Sequence, residues 1–427
     1  MTDYPSLLIL GNDCLSQVTS NGRTLGNFLQ GWPREKIAQF CVHGTAPDKT
    51  VCENYYCVSD RAAALSFFRG KPAPRKNLAV GGELPRRNFV AKRRKRNAAT
   101  MLLRNRIWNS MRWAGPEFDR WLADVAPELI LLQAGDCAFM LRLARELKER
   151  FGIPLVIYNS EGCYFKAYDY FRSGCQTRLA FPRFRREFCL EFEKTMAVAA
   201  KAVYCCEKLK QDYDTVFSTP SEVLHTATQL RPDTVAGERK SLRISYLGNL
   251  GLGRHESLVE IGDALHRISP ELKLDIYGKI PDAQVSRAFS ACPGIRYRGF
   301  VSYEEVRRLM AESDILIHAE SFAEFSREDL KYGFSTKIAD TLAVGRCFLL
   351  YAPETIACSE YLRKYDAAWV VSNKETLFPV LRDLCGKPEL RMRFAENGRR
   401  LAEKNHSWEK NAQRFQQILL QQCEAVP

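Results

Sequence analysis

The 427-residue chain reads as α/β, with two Rossmann-like domains and a cleft between them. Three observations carry that reading. Short apolar runs that end in glycine or polar residues alternate with stretches of helical periodicity, the pattern of a parallel sheet with crossover helices. The texture breaks once, near residue 230, where Arg231-Pro232-Asp233 through Gly237-Glu238-Arg239-Lys240 is polar and turn-rich. Beyond that linker the alternation restarts. The expected domains are 1–235, which carries a basic insertion near 69–113, and 240–405. A helix over 406–427 is expected to pack back toward the first domain.

The elements follow in order. Ser6–Leu10 is a short apolar strand closed by Gly11, and the polar stretch Ser20-Asn21-Gly22-Arg23-Thr24-Leu25-Gly26 comes after it. Glu128–Leu132 is a second strand, ending in Gln133-Ala134-Gly135-Asp136. Phe139, Leu141, Leu143, Leu147 and Phe151 then mark a helix that Gly152 and Pro154 terminate. Pro154–Tyr158 ends in Asn159-Ser160-Glu161-Gly162, and Ala202–Tyr204 and Glu222–Leu224 complete the first half. The second half reads as strands Leu242–Leu247, Leu272–Tyr277, Ile295–Arg298, Ile315–His318 and Cys347–Tyr351. Helices Glu256–Ile268, Tyr303–Ser313 and Ser335–Val344 lie between them. An amphipathic helix from Ser407-Trp408-Glu409 to Gln422 closes the chain.

Composition excludes several classes. Hydrophobic residues make up 46% of the chain, enough for packed cores and too many for global disorder. No run reaches the ~20 apolar residues of a membrane-spanning helix. Residues Met1–Leu10 lack the basic start and cleavage site of a secretory signal, so a cytoplasmic location is expected. The 15 cysteines show no C-x-x-C spacing, and the six histidines form no zinc-protease pattern. Reduced thiols and no metal are the expectation.

The net charge is +13. Residues 1–240 hold 37 Lys or Arg against 25 Asp or Glu, whereas the remainder is nearly balanced. Between Arg69 and Arg112 there are 14 basic residues and one acid, Glu83. The densest part is Lys92-Arg93-Arg94-Lys95-Arg96, followed by Leu102, Leu103, Ile107, Trp108 and Met111. A solvated loop, an element resting on an anionic membrane and a nucleic-acid contact compete for this segment. The membrane reading leads, because Lys and Arg mixed with Trp and Leu is an interfacial composition. Lys92, Arg93, Arg94, Lys95, Arg96 and Trp108 are then the membrane or acceptor contacts. Nucleic acid is set aside, since the charge is local and no binding module accompanies it.

Two motifs carry chemistry. In Tyr246-Leu247-Gly248-Asn249-Leu250-Gly251-Leu252-Gly253-Arg254, three glycines between strand and helix let backbone N–H groups approach a ligand. The helix start adds partial positive charge and Arg254 a full one, which suits a diphosphate. In Lys331-Tyr332-Gly333-Phe334-Ser335-Thr336-Lys337-Ile338-Ala339-Asp340, Ser335 caps a helix whose start offers Ser335, Thr336 and Lys337 to phosphate. Asp340, in the second turn, is placed to accept from ribose hydroxyls. Asp136 and Glu161 end strands on the ligand-facing edge of the first domain, and His43, His225 and His318 also sit near strand ends.

The run Gly299-Phe300-Val301-Ser302, Ser313-Asp314-Ile315-Leu316-Ile317-His318 and the Ser335–Gly345 helix resemble the donor domain of GT-B glycosyltransferases. The match is to the large retaining family whose hallmark is two glutamates separated by seven residues. The resemblance implies that Asp340 holds the donor ribose, and it puts Tyr332 where the sugar-contacting glutamate stands. Glu324, Glu328 and Asp329 are nearby acids for that task. It further implies Arg254 as one of the family's basic pair, with Asn249 at the place of the other and Lys337 compensating. Gly22, within Asn21-Gly22-Arg23, corresponds to the glycine loop that approaches donor phosphate and acceptor.

The expected site therefore comprises Glu161, Asp136 and Tyr332 as catalytic residues. Gly22, Gly248, Asn249, Arg254, Ser335, Thr336, Lys337 and Asp340 bind the donor. The substrate is a UDP- or GDP-linked sugar, with no cofactor, and the acceptor is a glycan or a lipid-linked glycan in cell-surface polysaccharide or glycoconjugate synthesis. Retention at the anomeric carbon is implied by the resemblance. Without a metal motif, the leaving diphosphate is neutralised by Arg254, Lys337 and two helix N-termini. A sugar-nucleotide epimerase is the competing enzyme and would act without an acceptor. A non-enzymatic basic protein on membrane or nucleic acid would bind no nucleotide-sugar.

Overall fold

A computed structural model describes residues 4–17, 19–44, 46–75, 96–171, 179–231 and 241–424. The chain divides into two compact units, Met1–His225 with Glu409–Pro427, and Thr226–Trp408.

The first unit is built on seven strands: β1 (Leu7–Asp13), β2 (Ile37–His43), β3 (Asn54–Cys57), β4 (Leu129–Ala134), β5 (Leu155–Asn159), β6 (Lys201–Tyr204) and β7 (Ser221–Val223). Their order is β3-β2-β1-β4-β5-β6-β7, and every neighbouring pair is parallel. Leu7, Leu8, Ile9 and Leu10 are all fully buried, as expected of a strand covered by helices on both faces. The order reverses beside β1, which makes the carboxyl ends of β1 and β4 a natural crevice. The helix Trp408–Glu424 joins this unit from Glu409 onward. Its Phe415 packs on Phe28 with ring centroids 5.1 Å apart, and Gln416 Nε2 donates to the Gln30 carbonyl at 2.7 Å.

The second unit holds β8 (Ile244–Leu247), β9 (Leu274–Tyr277), β10 (Ile295–Gly299), β11 (Ile315–Ala319), β12 (Cys347–Tyr351) and β13 (Trp369–Val371). The order is β10-β9-β8-β11-β12-β13, again parallel throughout. Alternate residues of β11 and β12 serve opposite cores, the period-2 geometry of a strand. Ile315, Ile317, Cys347 and Leu349 belong to one apolar cluster, and Leu316, Phe348 and Leu350 to the other. Both units are thus the parallel α/β sheets that the sequence pattern implies. Among the described residues no helix is long and apolar enough to cross a membrane.

The basic insertion needs a correction. Lys92, Arg93, Arg94 and Lys95 lie outside the described residues, but Trp108 lies within the helix Ala98–Asn109 and is only 1% exposed. Its ring stacks on Phe139 at 4.8 Å, and its Nε1 donates to Asp60 Oδ1 at 2.8 Å. Ile107 and Trp113 are buried with it. Trp108 is therefore a core residue and offers no ring to a membrane or acceptor. The indole buries its ring and still satisfies its N–H, as a core tryptophan does.

Candidate functional site

In the second unit the chain turns sharply after β8. Gly248 N donates to the Tyr277 carbonyl at 2.9 Å, which ties the loop to the end of β9. The Asn249 side-chain oxygen accepts from Gly251 N at 2.9 Å, an Asx-type turn. The Tyr246 hydroxyl donates to the Asn249 carbonyl at 2.7 Å. Gly253, the last residue before the helix Arg254–Ile268, has φ +77°. That conformation favours glycine, and a Cβ there would sit 2.8 Å from Ser321 Oγ, so any other residue would also have to displace that hydroxyl.

That geometry places Arg254 at the first turn of its helix, beside the end of β11. Its Nε meets Glu320 Oε2 at 2.8 Å and its Nη2 meets Glu320 Oε1 at 3.0 Å. Both side chains are largely buried, 12% and 5% exposed. His318 Nε2 lies 3.0 Å from the same carboxylate, and Ser257 Oγ donates to the Glu320 carbonyl at 2.7 Å. Burial pushes the Glu320 carboxyl up, but His318 and then Arg254 hold it below the ordinary carboxylate range. For Arg254, burial works against the charge and Glu320 outweighs it, raising the guanidinium further. The pair holds a cation in a fixed orientation where the strand order reverses between β8 and β11. Such a switch point is where open parallel sheets bind ligands.

Glu320 escapes sequence reasoning. It is the first residue past an apolar strand, and an acid at that place is the available signal, one shared with many ordinary loop acids.

The second motif begins the helix Thr336–Ala343, with Ser335 as its N-cap accepting from Lys337 N. This helix follows β11 and precedes β12, so its N-terminus lies on the same carboxyl edge of the sheet as Arg254. Thr336 and Lys337 form its first turn. Asp340 is buried and accepts from Thr228 Oγ1 at 2.6 Å. Tyr332 is also buried, with Lys331 Nζ 4.8 Å above its ring. Glu324 and Glu328 are exposed, and Asp329 is half-buried.

In the first unit, Gly22 lies in the first turn of the helix Ser20–Phe28, capped by Thr19. A Cβ on Gly22 would stand 2.6 Å from Ser16 N and 2.7 Å from the Cys14 carbonyl, so the helix start presses directly on the loop after β1. Asp136, after β4, accepts from Arg96 Nη2 at 2.8 Å through both oxygens, and Tyr170 donates to it at 3.4 Å. Two candidates from different stretches are thereby brought together. Glu161, after β5, is exposed and accepts from Cys163 Sγ at 3.5 Å.

His43 gains a setting that the sequence does not disclose. Asp13 and His43 end adjacent strands in register. His43 Nδ1 lies 3.1 Å from Asp13 Oδ1, and its Nε2 lies 3.7 Å from Asp60 Oδ2. Asp13 and Asp60 raise the imidazole to about 9, against the effect of burial. Asp60 in turn takes Arg104 Nε at 2.7 Å. Among the described residues no cluster of three or more His, Cys, Asp or Glu is arranged to hold a metal ion.

Comparison with known proteins follows the same lines. Residues 254–417 match the family model described as glycosyl transferase-like. No curated protein matches the chain. Among solved structures, Anabaena HepE in complex with UDP and glucose is similar over 98% of this chain and 100% of its own, with a TM-score of 0.63 at 9% identity. Sucrose-phosphate synthase from Thermosynechococcus elongatus is similar over 98% and 99%, with a TM-score of 0.60 at 12% identity. WaaG, a glycosyltransferase involved in lipopolysaccharide biosynthesis, is similar over 97% and 99%, with a TM-score of 0.54 at 12% identity. The chain has the GT-B glycosyltransferase fold, and the glycosyl transferase-like match falls mostly within its second unit.

Proposed function

We propose that this chain, built on a glycosyltransferase fold, moves a sugar from a UDP- or GDP-linked donor to a glycan or lipid-linked acceptor. The pathway we infer is cell-surface polysaccharide or glycoconjugate synthesis. The observation that carries the reading is the buried Arg254–Glu320 pair at the β8/β11 switch point. A preorientated guanidinium at a helix start is the counter-charge that a departing diphosphate requires. HepE, similar in fold, was captured with UDP and glucose, which supports a nucleotide-sugar as donor here.

In this reading Gly248 and Asn249 shape the turn under the diphosphate. Ser335, Thr336 and Lys337 supply donors from the second helix start, and Asp340 binds the ribose. Gly22 lets its helix start press on the loop after β1 and so shapes that loop for the substrate. Glu161, exposed after β5, contacts the acceptor, and Asp136 acts with Arg96. Tyr332 packs beneath the donor sugar rather than bonding to it. Transfer proceeds with retention, the leaving phosphate taking the acceptor proton. The enzyme works attached to the inner face of a membrane, where a lipid-linked acceptor would be presented.

The test is release of nucleoside diphosphate from a panel of UDP- and GDP-sugars, with extracted glycolipids as acceptors. Acceptor-dependent release from one donor is the expected result. Conversion of a donor to its epimer without acceptor would overturn the transferase reading.

A further inference from the structure

We propose that the outer face of the helix Asp60–Arg69, with the chain edge stapled to it, docks on an anionic lipid bilayer. The inference rests on the membrane attachment suggested above and names the surface responsible, which is not the Trp108 region.

The helix is amphipathic in an inverted sense. Ala63 and Ser66 face inward and are buried. The opposite face carries Arg61, Leu65, Phe68 and Arg69, spaced so that they share one side of a helix. Leu65 is 40% exposed and Phe68 74% exposed. Leu65 and Phe68 lie one turn apart, so they form a paired apolar spot rather than a single exposed side chain.

The edge beside this face is fixed in place. Ser66 Oγ donates to the Arg112 carbonyl at 2.7 Å and also bonds the Lys71 carbonyl. Arg112 Nη1 donates to the Phe67 carbonyl at 2.9 Å, and its guanidinium lies 5.3 Å from the Phe67 ring centre. Lys71 and Arg112 are thereby tied to the C-terminal half of this helix, and both are exposed.

Charge identifies the occupant. Residues 61–75 and 96–115 contain eight Lys or Arg and no Asp or Glu. The nearby acids are already matched, Asp60 by Arg104 and Asp136 by Arg96. Among the described residues Arg61, Arg69, Lys71 and Arg112 have no acidic partner. Two exposed apolar side chains with Arg61 and Arg69 on the same helix face, and Lys71 and Arg112 tied to that helix, form the composition that rests in a headgroup layer. A second copy of the chain would set like charges against each other.

The test uses the full chain in sedimentation with vesicles of phosphatidylcholine, and of phosphatidylcholine with phosphatidylglycerol, at low and high salt. The wild type should pellet with the anionic vesicles at low salt and be released at high salt. Leu65→Ser with Phe68→Ser should weaken partitioning by at least about tenfold. Arg69→Gln with Lys71→Gln should weaken it by about fivefold for each charge removed. The thermal midpoints of both variants should match the wild type, because the substituted side chains are exposed. If the wild type binds and both variants bind equally well, this surface is wrong and membrane attachment stands. A wild type that stays in the supernatant throughout overturns attachment and surface together. A lipid-free dimer abolished by the Leu65/Phe68 variant would assign the face to a second copy and overturn the proposal.

Discussion

Arg254 and Glu320, 66 residues apart, form a two-pronged buried ion pair at 2.8 and 3.0 Å, joining the start of one helix to the end of a neighbouring strand. Neither residue could sit so deep alone. Taking one partner of a buried pair away leaves an uncompensated charge, which costs about 3–5 kcal/mol. Glu320→Ala should lower stability by that amount, read from the urea midpoint. Glu320→Gln, which keeps the shape, should cost less and still weaken nucleoside diphosphate binding by roughly tenfold, about 1.4 kcal/mol. Unchanged binding in the glutamine variant would show that Glu320 does not position Arg254.

The same pair sets an acid limit. Glu320 is held below its ordinary range in the folded chain, so its contribution is present above the unfolded carboxylate value of about 4.3. It is lost as pH falls through the lower folded value. Acid unfolding followed by circular dichroism should start at higher pH in Arg254→Met than in the wild type.

His43 acts at the other end of the scale. Asp13 and Asp60 raise its imidazole to about 9, so the stabilisation is complete below the unfolded value of about 6.5 and is lost as pH rises through about 9. The ring is half exposed, and solvent screening makes the effect modest. A histidine proton resonance should titrate near 9 and vanish from the spectrum of His43→Gln. The wild type should lose its thermal advantage over that variant between pH 7 and pH 10.

Trp108 tests the packing of the first unit. With its ring stacked on Phe139 and its nitrogen bonded to Asp60, Trp108→Ala should destabilise by about 3–5 kcal/mol. An equally stable variant would show that the side chain is not in the core.

For Tyr332, buried beneath Lys331, Tyr332→Phe should keep most of the transferase activity. Glu324→Gln, Glu328→Gln or Asp329→Asn should do more damage. A severe loss in the phenylalanine variant with all three acid variants active would assign the hydroxyl a direct role.

The strands that end at the donor motif were legible because each is a short apolar run stopped by glycine or a polar residue. Strand β2 was not. Its centre is Gln39, fully buried, which accepts from Leu15 N and donates to the Asp13 carbonyl. A polar residue satisfied inside the core breaks the apolar signal on which sequence reading depends. Strands β3 and β13, four and three residues long, are no shorter than β6 and β7, which the sequence does reveal, so length alone does not hide them. The glycine turn before Arg254 was visible because glycine spacing is local. Glu320 and the Asp13–His43 contact were not, since their partners are distant in sequence and only the folded sheet brings them together. Trp108 misled because basic and aromatic residues in succession describe an interface and a buried helix flank equally well.

Calorimetric titration of the wild type and Arg254→Ala with UDP, GDP and ADP tests the central claim most directly. One of the three should bind the wild type at a single site, and the variant should bind it more weakly by about 1.5–3 kcal/mol, the range for hydrogen bonds to charged groups. Absence of binding to all three, or equal affinity in the variant, would contradict the account.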